Sequence, residues 1–454
     1  MYFEDYLPII MFFVLAVLLF SGFPVAFVLG GVGLAFGFIG YLFDVFSLIE
    51  FFNVLPRIWG GIAENLVLTA VPMFIFMGTM LERSGVANDL LYCLQVLLRR
   101  IPGGLALAVT VMGTILAATT GIIGASVVMM TLLALPVMLD RGYNKELATG
   151  TIAASGTLGI LIPPSIMLVI MADLLAISVG TLFVAALFPG LILSGLYFFY
   201  IVVVCGARPR LAPALPTSEG PDTTWGLVAM VLRSFLPPSF LIILVLGSIF
   251  AGWASPTEAS GVGAAGAFVL ALLNRRLNYQ VLRDVIERTA LTGAMIFFIF
   301  IGATAFSYVF RSLGGDDIIT EIINDLGWGS WGVLFVLMGV VFALGFFFDW
   351  VEITLIVLPV FAPIIELLDF GDHISGRDVI YWFAILVAVN LQTSFLTPPF
   401  GFALFYMKGV APPGVKIQNI YRGIVPFVIL QLIGLTLVIV YPEIAMWLPD
   451  KILD

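Results

Sequence analysis

Hydrophobic positions along this chain come in blocks suited to crossing a bilayer, and polar positions punctuate them in two different ways. A spanning helix needs about 20 mostly apolar residues. Residues 7–20, 24–42, 66–81, 179–204, 234–250, 256–273, 291–308 and 424–441 approach that pattern and are predicted spans. Segments 44–65, 86–100, 278–288 and 317–325 mix apolar and charged residues at helical spacing, as amphipathic helices lying at an interface do. Two stretches, 104–139 and 331–367, exceed one span and are interrupted by small and polar residues, Thr119 to Ser126 in the first and Gly345 to Glu352 in the second. They are predicted to be re-entrant helical hairpins with their tips inside the membrane.

The last two apolar segments, 146–172 and 379–407, contain the runs ASGTLGILIPPS (154–165) and NLQTSFLTPPFG (390–401). Proline removes a backbone N–H, clashes with the preceding turn and pushes the residue before it out of the α region. Pro163 and Pro164, and again Pro398 and Pro399, therefore break these helices at mid-membrane. The freed carbonyls are tolerated in hydrocarbon only where protein, water or an ion satisfies them.

The order of elements occurs twice. FIFMG at Phe74 answers FIFIG at Phe298, TLLALPV at Thr131 answers TLIVLPV at Thr354, and Pro163 answers Pro398, at offsets of 224, 223 and 235. Two repeats are expected, 1–206 and 225–454, joined by a polar linker at 207–224. Each holds five crossings, counting the broken helix once and the hairpin as none, so the second repeat is inverted relative to the first. Charge agrees, because cytoplasmic flanks collect Lys and Arg. With the amino terminus outside, 15 of the 19 basic residues fall inside, leaving Arg57, Arg311, Arg377 and Lys451 outside.

Composition narrows the class. At 61% hydrophobic and 10% charged over 454 residues, the chain is a polytopic membrane protein with no segment long enough for a soluble domain. No basic region precedes the first apolar stretch, so no cleavable signal is expected. Cys93 and Cys205 are read as small packing residues rather than a disulfide or metal framework. The G-x-G-x-x-G at Gly261 to Gly266 lies in a span with no strand before it and is read as helix packing. His373, in an acidic loop, is read as solvated, and the basic residues are topology signals rather than a nucleic-acid surface. No metal-ligand set or nucleophile and base pair appears at membrane depth, so an enzyme is not expected.

Three stretches together resemble the large membrane subunit (DctM type) of tripartite ATP-independent periplasmic (TRAP) transporters: GASVVMMTLLALPVMLDRGYNKELATGTIAASGTLGILIPPS from Gly124, SPTEA from Ser255 and NLQTSFLTPPFGFALFY from Asn390. The resemblance implies a sodium-driven importer of small organic acids in the bacterial inner membrane. It also implies a small membrane subunit (DctQ type) and a periplasmic substrate-binding protein (DctP type) as partners, and an ion transporter superfamily fold in which hairpins and broken helices form an elevator domain. The segments 44–65 and 86–100 would hold the scaffold level at the interface. Open alternatives are a stand-alone sodium/dicarboxylate symporter of the same fold and a non-transporting membrane scaffold or sensor.

Within that frame two sodium sites are expected, because sodium suits carbonyl and hydroxyl oxygens at half-helix ends. Site one is Thr119, Thr120, Gly124 and Ser126 facing Ser155, Gly156, Thr157 and Gly159. Site two is Gly345, Asp349 and Thr354 facing Asn390, Thr393, Ser394 and Thr397. Ser126, Ser165, Gln392 and Thr393 are the candidate substrate contacts. The bland reading of the hydroxyls is that they bond their own helix backbone. Asp349 and Glu352 share a helix face, for cation attraction or a proton-coupled step, or else they are simply wet.

Overall fold

The computed structural model describes residues 6–453 except 121–122, 216–219, 222 and 399–400, with backbone only for 117–120, 322–324, 326 and 453. Its helices, in chain order, are α1 Leu7–Leu19, α2 Val25–Leu42, α3 Leu48–Ile58, α4 Ala70–Arg83, α5 Val86–Leu98, α6 Gly104–Thr120, α7 Ile123–Asp140, α8 Lys145–Thr157, α9 Ile166–Leu174 and α10 Val179–Ala207. The second series is α11 Thr224–Met230, α12 Leu236–Phe250, α13 Pro256–Leu273, α14 Tyr279–Ser312, α15 Gly315–Leu326, α16 Gly329–Leu344, α17 Trp350–Glu366, α18 Asp378–Leu396, α19 Phe402–Val410, α20 Ile417–Val440 and α21 Glu443–Leu453. No strand occurs among the described residues.

Nine helices among the described residues are long and apolar enough to span by themselves. That set includes α7, a hairpin limb, and omits the short α1 and the first broken helix, whose limbs α8 and α9 are each too short. Removing the one and adding the two leaves five crossings per repeat.

Packing follows an internal two-fold exchange. α2 lies on α14 as α13 lies on α4, α8 lies on α20 as α18 lies on α10, and α7 lies on α19 as α17 lies on α9. Each hairpin's return limb is thus held by the broken helix of the other repeat. Two bodies result: a scaffold of α1–α5 and α11–α15, and a hairpin body of α6–α10 and α16–α21. The broken helices are central, with every residue from Leu147 to Thr157 buried in α8 and nearly all of α18 buried. α8 and α20 approach backbone to backbone, since a β-carbon at Gly150 would collide with the Gly423 carbonyl oxygen. The glycines of the G-x-G-x-x-G run serve the same purpose, Gly263 against Met77 and Gly266 against Leu241.

Several boundaries differ from expectation. The amphipathic 278–288 and the apolar 291–308 form one 34-residue helix, α14. No glycine or proline lies between Tyr279 and Thr292, so nothing interrupts the backbone bonding. The span expected at 234–250 begins at Thr224, through a wide π turn at Val231–Phe235. That turn precedes Pro237 and Pro238, whose missing N–H groups cannot continue regular bonding. α21 was not expected; it packs on α10, with Trp447 against Phe188. His373 is not solvated: it is half-buried, its Nε2 lies 2.7 Å from the Ile439 carbonyl, and its ring meets those of Trp331 and Trp382. Cys93 and Cys205 are buried free thiols. Residues 211–215 are stitched to the first repeat, Gly103 and Asn144 donating to the Ala212 and Leu211 carbonyls and Leu215 donating to that of Arg99.

Candidate binding site at the paired helix breaks

At the first break, α8 gives way to a tight turn at Leu158–Ile160, and the helix restarts after Ser165. The Ser165 hydroxyl donates to the Ile160 carbonyl at 2.6 Å and accepts from the Leu168 N–H at 3.5 Å, so it fastens both sides of the interruption. Thr157 donates to the Ala154 carbonyl at 2.9 Å. Ser126, Ser155 and Gly156 enclose, with Gly113, Leu116, Met129 and Met130, a cavity of about 10 Å³. That volume is of the order of one water-sized sphere.

The remaining residues of the first cluster are distributed differently. Gly159 lies in the turn itself, buried. Gly124 faces the Tyr406 ring of α19 rather than α8, a β-carbon there standing 2.9 Å from the ring. The side chains of Thr119 and Thr120 lie outside the described residues.

At the second break, α18 ends at Leu396 and Thr397 is extended. Pro398 forms a turn, Pro399 lies outside the described residues, and Gly401, at φ +51°, opens α19. Thr393, Ser394 and Thr397 donate to the carbonyls of Val389, Leu391 and Thr393 at 3.2, 2.8 and 2.6 Å. A hydroxyl whose proton goes to its own helix keeps its lone pairs as acceptors. The bland reading of these residues and a cation-facing role are therefore compatible.

The hairpins meet the broken helices at equivalent heights. Asn390 donates to the Met338 carbonyl of α16 at 2.7 Å. In the first repeat Ser155 lies against Gly113 of α6, with Thr110 Oγ1 at 3.4 Å. Ser155 and Asn390 correspond at the offset of 235, and Gly113 and Met338 are each the tenth residue of the hairpin's first limb. Gly345 touches Ser394.

Asp349 stands at the start of α17, accepting from the Trp350 N–H at 2.8 Å, while Glu352 accepts from the Asp349 N–H at 3.2 Å. Both carboxylates are half-buried and close a capping box, a role the sequence reading did not assign. Asp-x-x-Glu before an apolar run was the available signal. Gln392, fully buried in the last turns of α18, has no hydrogen-bond partner among the described residues for either amide atom, and the Thr354 and Thr151 hydroxyls likewise have none there. Buried polar groups left unpaired cost about 1–3 kcal/mol each, so these atoms mark where a polar ligand would be worth most. Gly113, Thr110 and Thr151 were missed; Thr110 and Gly113, one turn apart in an otherwise apolar limb, were the legible trace.

The family profile "Tripartite ATP-independent periplasmic transporter, DctM component" matches residues 12–444. The chain belongs to this family. Among its relatives, the C4-dicarboxylate TRAP transporter large permease protein of Pseudomonas aeruginosa is 31% identical over 396 residues, covering 86% of this chain and 87% of that one. The ectoine TRAP transporter large permease protein of Halomonas elongata is 28% identical, covering 95% and 96%. Of solved structures, the Alcanivorax borkumensis YdaH transporter superposes with a TM-score of 0.62 at 14% identity, covering 89% of this chain and 90% of that one, which shows the shared fold. This DctM component is thus a multi-pass transporter permease.

Proposed function

We propose that this DctM component is the large permease of a sodium-coupled importer of small organic acids in the bacterial inner membrane, its amino terminus periplasmic. A small membrane subunit and a periplasmic substrate-binding protein complete the system. The observation that carries the reading is the pair of breaks, where hairpin and broken helix meet at equivalent heights in both repeats. Sodium is co-transported cargo. Ser126, Ser155, Gly156, Thr157 and Gly159 supply oxygens at the first site, with Thr119, Thr120 and Gly124 on the hairpin. Asn390, Thr393, Ser394 and Thr397 supply them at the second, with Gly345, Asp349 and Thr354 on the hairpin. The buried, unpartnered Gln392 amide supports a substrate contact between the two breaks, beside Thr393, Ser126 and Ser165.

The hairpin body carries both sites, and its movement past the scaffold, elevator fashion, exposes them to one side at a time. The test is reconstitution into liposomes with the small subunit and binding protein, followed by uptake of candidate organic acids with and without a sodium gradient. Uptake only with both partners and the gradient is expected. Uptake by this chain alone would instead favour a stand-alone symporter, and uptake indifferent to sodium would overturn the coupling.

A further inference from the structure

The scaffold meets the two hairpins through different limbs: α14 packs on the return limb α17, whereas its repeat mate α4 packs on the first limb α6 and leaves the return limb α7 apart from it. Between them lies a cavity of about 600 Å³, whose lining includes Arg83, Ala125, Met129, Leu132, Arg276 and Arg288. By the charge distribution this is the cytoplasmic side.

On the opposite side two hydrogen bonds tie the bodies together. Asn65 Nδ2 donates to Asp173 Oδ1 at 2.6 Å, joining the turn before α4 to α9. Arg311 Nη2 donates to the Pro359 carbonyl at 2.5 Å, joining the last turn of α14 to α17. The second bond has a cause in the sequence. A helical carbonyl at 359 would be met by the N–H of residue 363, which is proline, so Pro359 is left with an acceptor and no helical donor. Arg311 supplies the donor and is itself steadied by Asp316 at 3.5 Å. Asp173, Thr304, Ser307, Arg311 and Pro359 line one outer cavity of about 240 Å³, so both ties close over the same space.

We infer that Asn65–Asp173 and Arg311–Pro359 form an outer latch that holds this permease open toward the Arg83 side and must release before the site is exposed on the Arg311 side. The inference rests on the reading that the hairpin body moves against the scaffold. The repeat supplies the counterpart. Arg83 ends α4 as Arg311 ends α14, each followed by serine, and Pro136 of α7 answers Pro359 of α17. Pro136 leaves the Leu132 carbonyl without a helical donor, as Pro363 leaves that of Pro359; Leu132 is equivalent to Leu355, one turn before Pro359, and it lines the same cavity as Arg83. When the body moves, Arg83 takes up that carbonyl as Arg311 lets go of its own. Arg83 and Arg311 therefore bias the equilibrium in opposite directions.

The test reads accessibility rather than uptake. Cys93 and Cys205 are replaced by alanine, and single reporters Leu132→Cys and Thr304→Cys are placed in the two cavities of the full chain in vesicles of both orientations. A membrane-impermeant maleimide then gives the labelling rate of each. Arg311→Ala with Asn65→Ser, which keeps the cap at position 65 but not the reach to Asp173, is expected to raise the Thr304-to-Leu132 rate ratio about tenfold. Arg311→Lys, which retains a donor, returns the ratio most of the way, and Arg83→Ala lowers it. An unchanged ratio in the double variant overturns the latch, as does Arg311→Lys behaving like Arg311→Ala. Because the readout needs no cargo, a wild-type chain that labels as expected yet transports nothing would refute the proposed function and leave the latch standing.

Discussion

A β-carbon at Gly345 would collide with the Ser394 hydroxyl, so the tip of the second hairpin meets the second broken helix with no atom to spare. Gly345→Ala must push the two apart, and overpacking of this kind costs about 1–3 kcal/mol. We expect sodium-dependent uptake to fall about tenfold while the protein still inserts. Gly339→Ala, where an added β-carbon meets nothing within 4 Å, serves as the control. Equal uptake by both variants would show that the contact does not matter to transport.

Sodium ligation at the two breaks is tested by Ser155→Ala combined with Thr157→Ala, and separately by Asn390→Ala. Each is expected to raise the sodium concentration for half-maximal uptake by about tenfold, the equivalent of about 1.4 kcal/mol of lost ion binding. Unchanged sodium activation in both variants would remove these residues from the sites.

Gln392 offers a test in which stability and function move in opposite directions. Replacing an unpartnered buried amide by an apolar side chain of similar size removes a desolvation cost of about 1–3 kcal/mol. Gln392→Leu is expected to melt higher in detergent and to lose at least about nine-tenths of its uptake. A variant that melts higher and transports normally would leave Gln392 without a role in the cargo path.

Asp349 separates capping from charge. Asparagine caps a helix about as well as aspartate, whereas alanine costs about 0.5–2 kcal/mol. Asp349→Asn should therefore keep the thermal stability that Asp349→Ala loses. If the carboxylate attracts the cation, Asp349→Asn also weakens sodium activation. Normal sodium and pH dependence in that variant assigns the side chain to the cap alone.

The large features are legible in the sequence because their causes are local. Paired prolines after a run of small and polar residues interrupt the helix, so both breaks are visible at Ile162 and Thr397, and the five-crossing count follows from apolar length; Pro237 and Pro238, in an apolar run, are instead passed through a π turn. What is not legible depends on partners far along the chain. His373 looks like a loop residue until Trp331, Trp382 and the Ile439 carbonyl are brought around it. The Tyr406 ring beside Gly124 likewise comes from about 280 residues further along. The division at residue 288 was an error of another kind, since a change from amphipathic to apolar pattern marks a change of surroundings and not an end of the helix. Within the candidate site, Ser155 and Asn390 were legible from clustering at the breaks, while Gly113 and Met338, which lie against them, belong to a different limb and left little trace.

The exchange in which α17 lies on α9 and α7 on α19 also bears on how the protein is made. The ribosome completes α9 at Leu174 and reaches the end of α17 about 190 residues later. At about 5–20 residues per second that is an interval of about 10–40 s. During it α9 and α7, each short or interrupted and each built to be covered by the other half, sit in the membrane without their final neighbours. The first repeat is therefore a client of whatever attends unfinished membrane proteins until the second arrives, and a chain cut after residue 206 should be degraded rather than persist as half a permease.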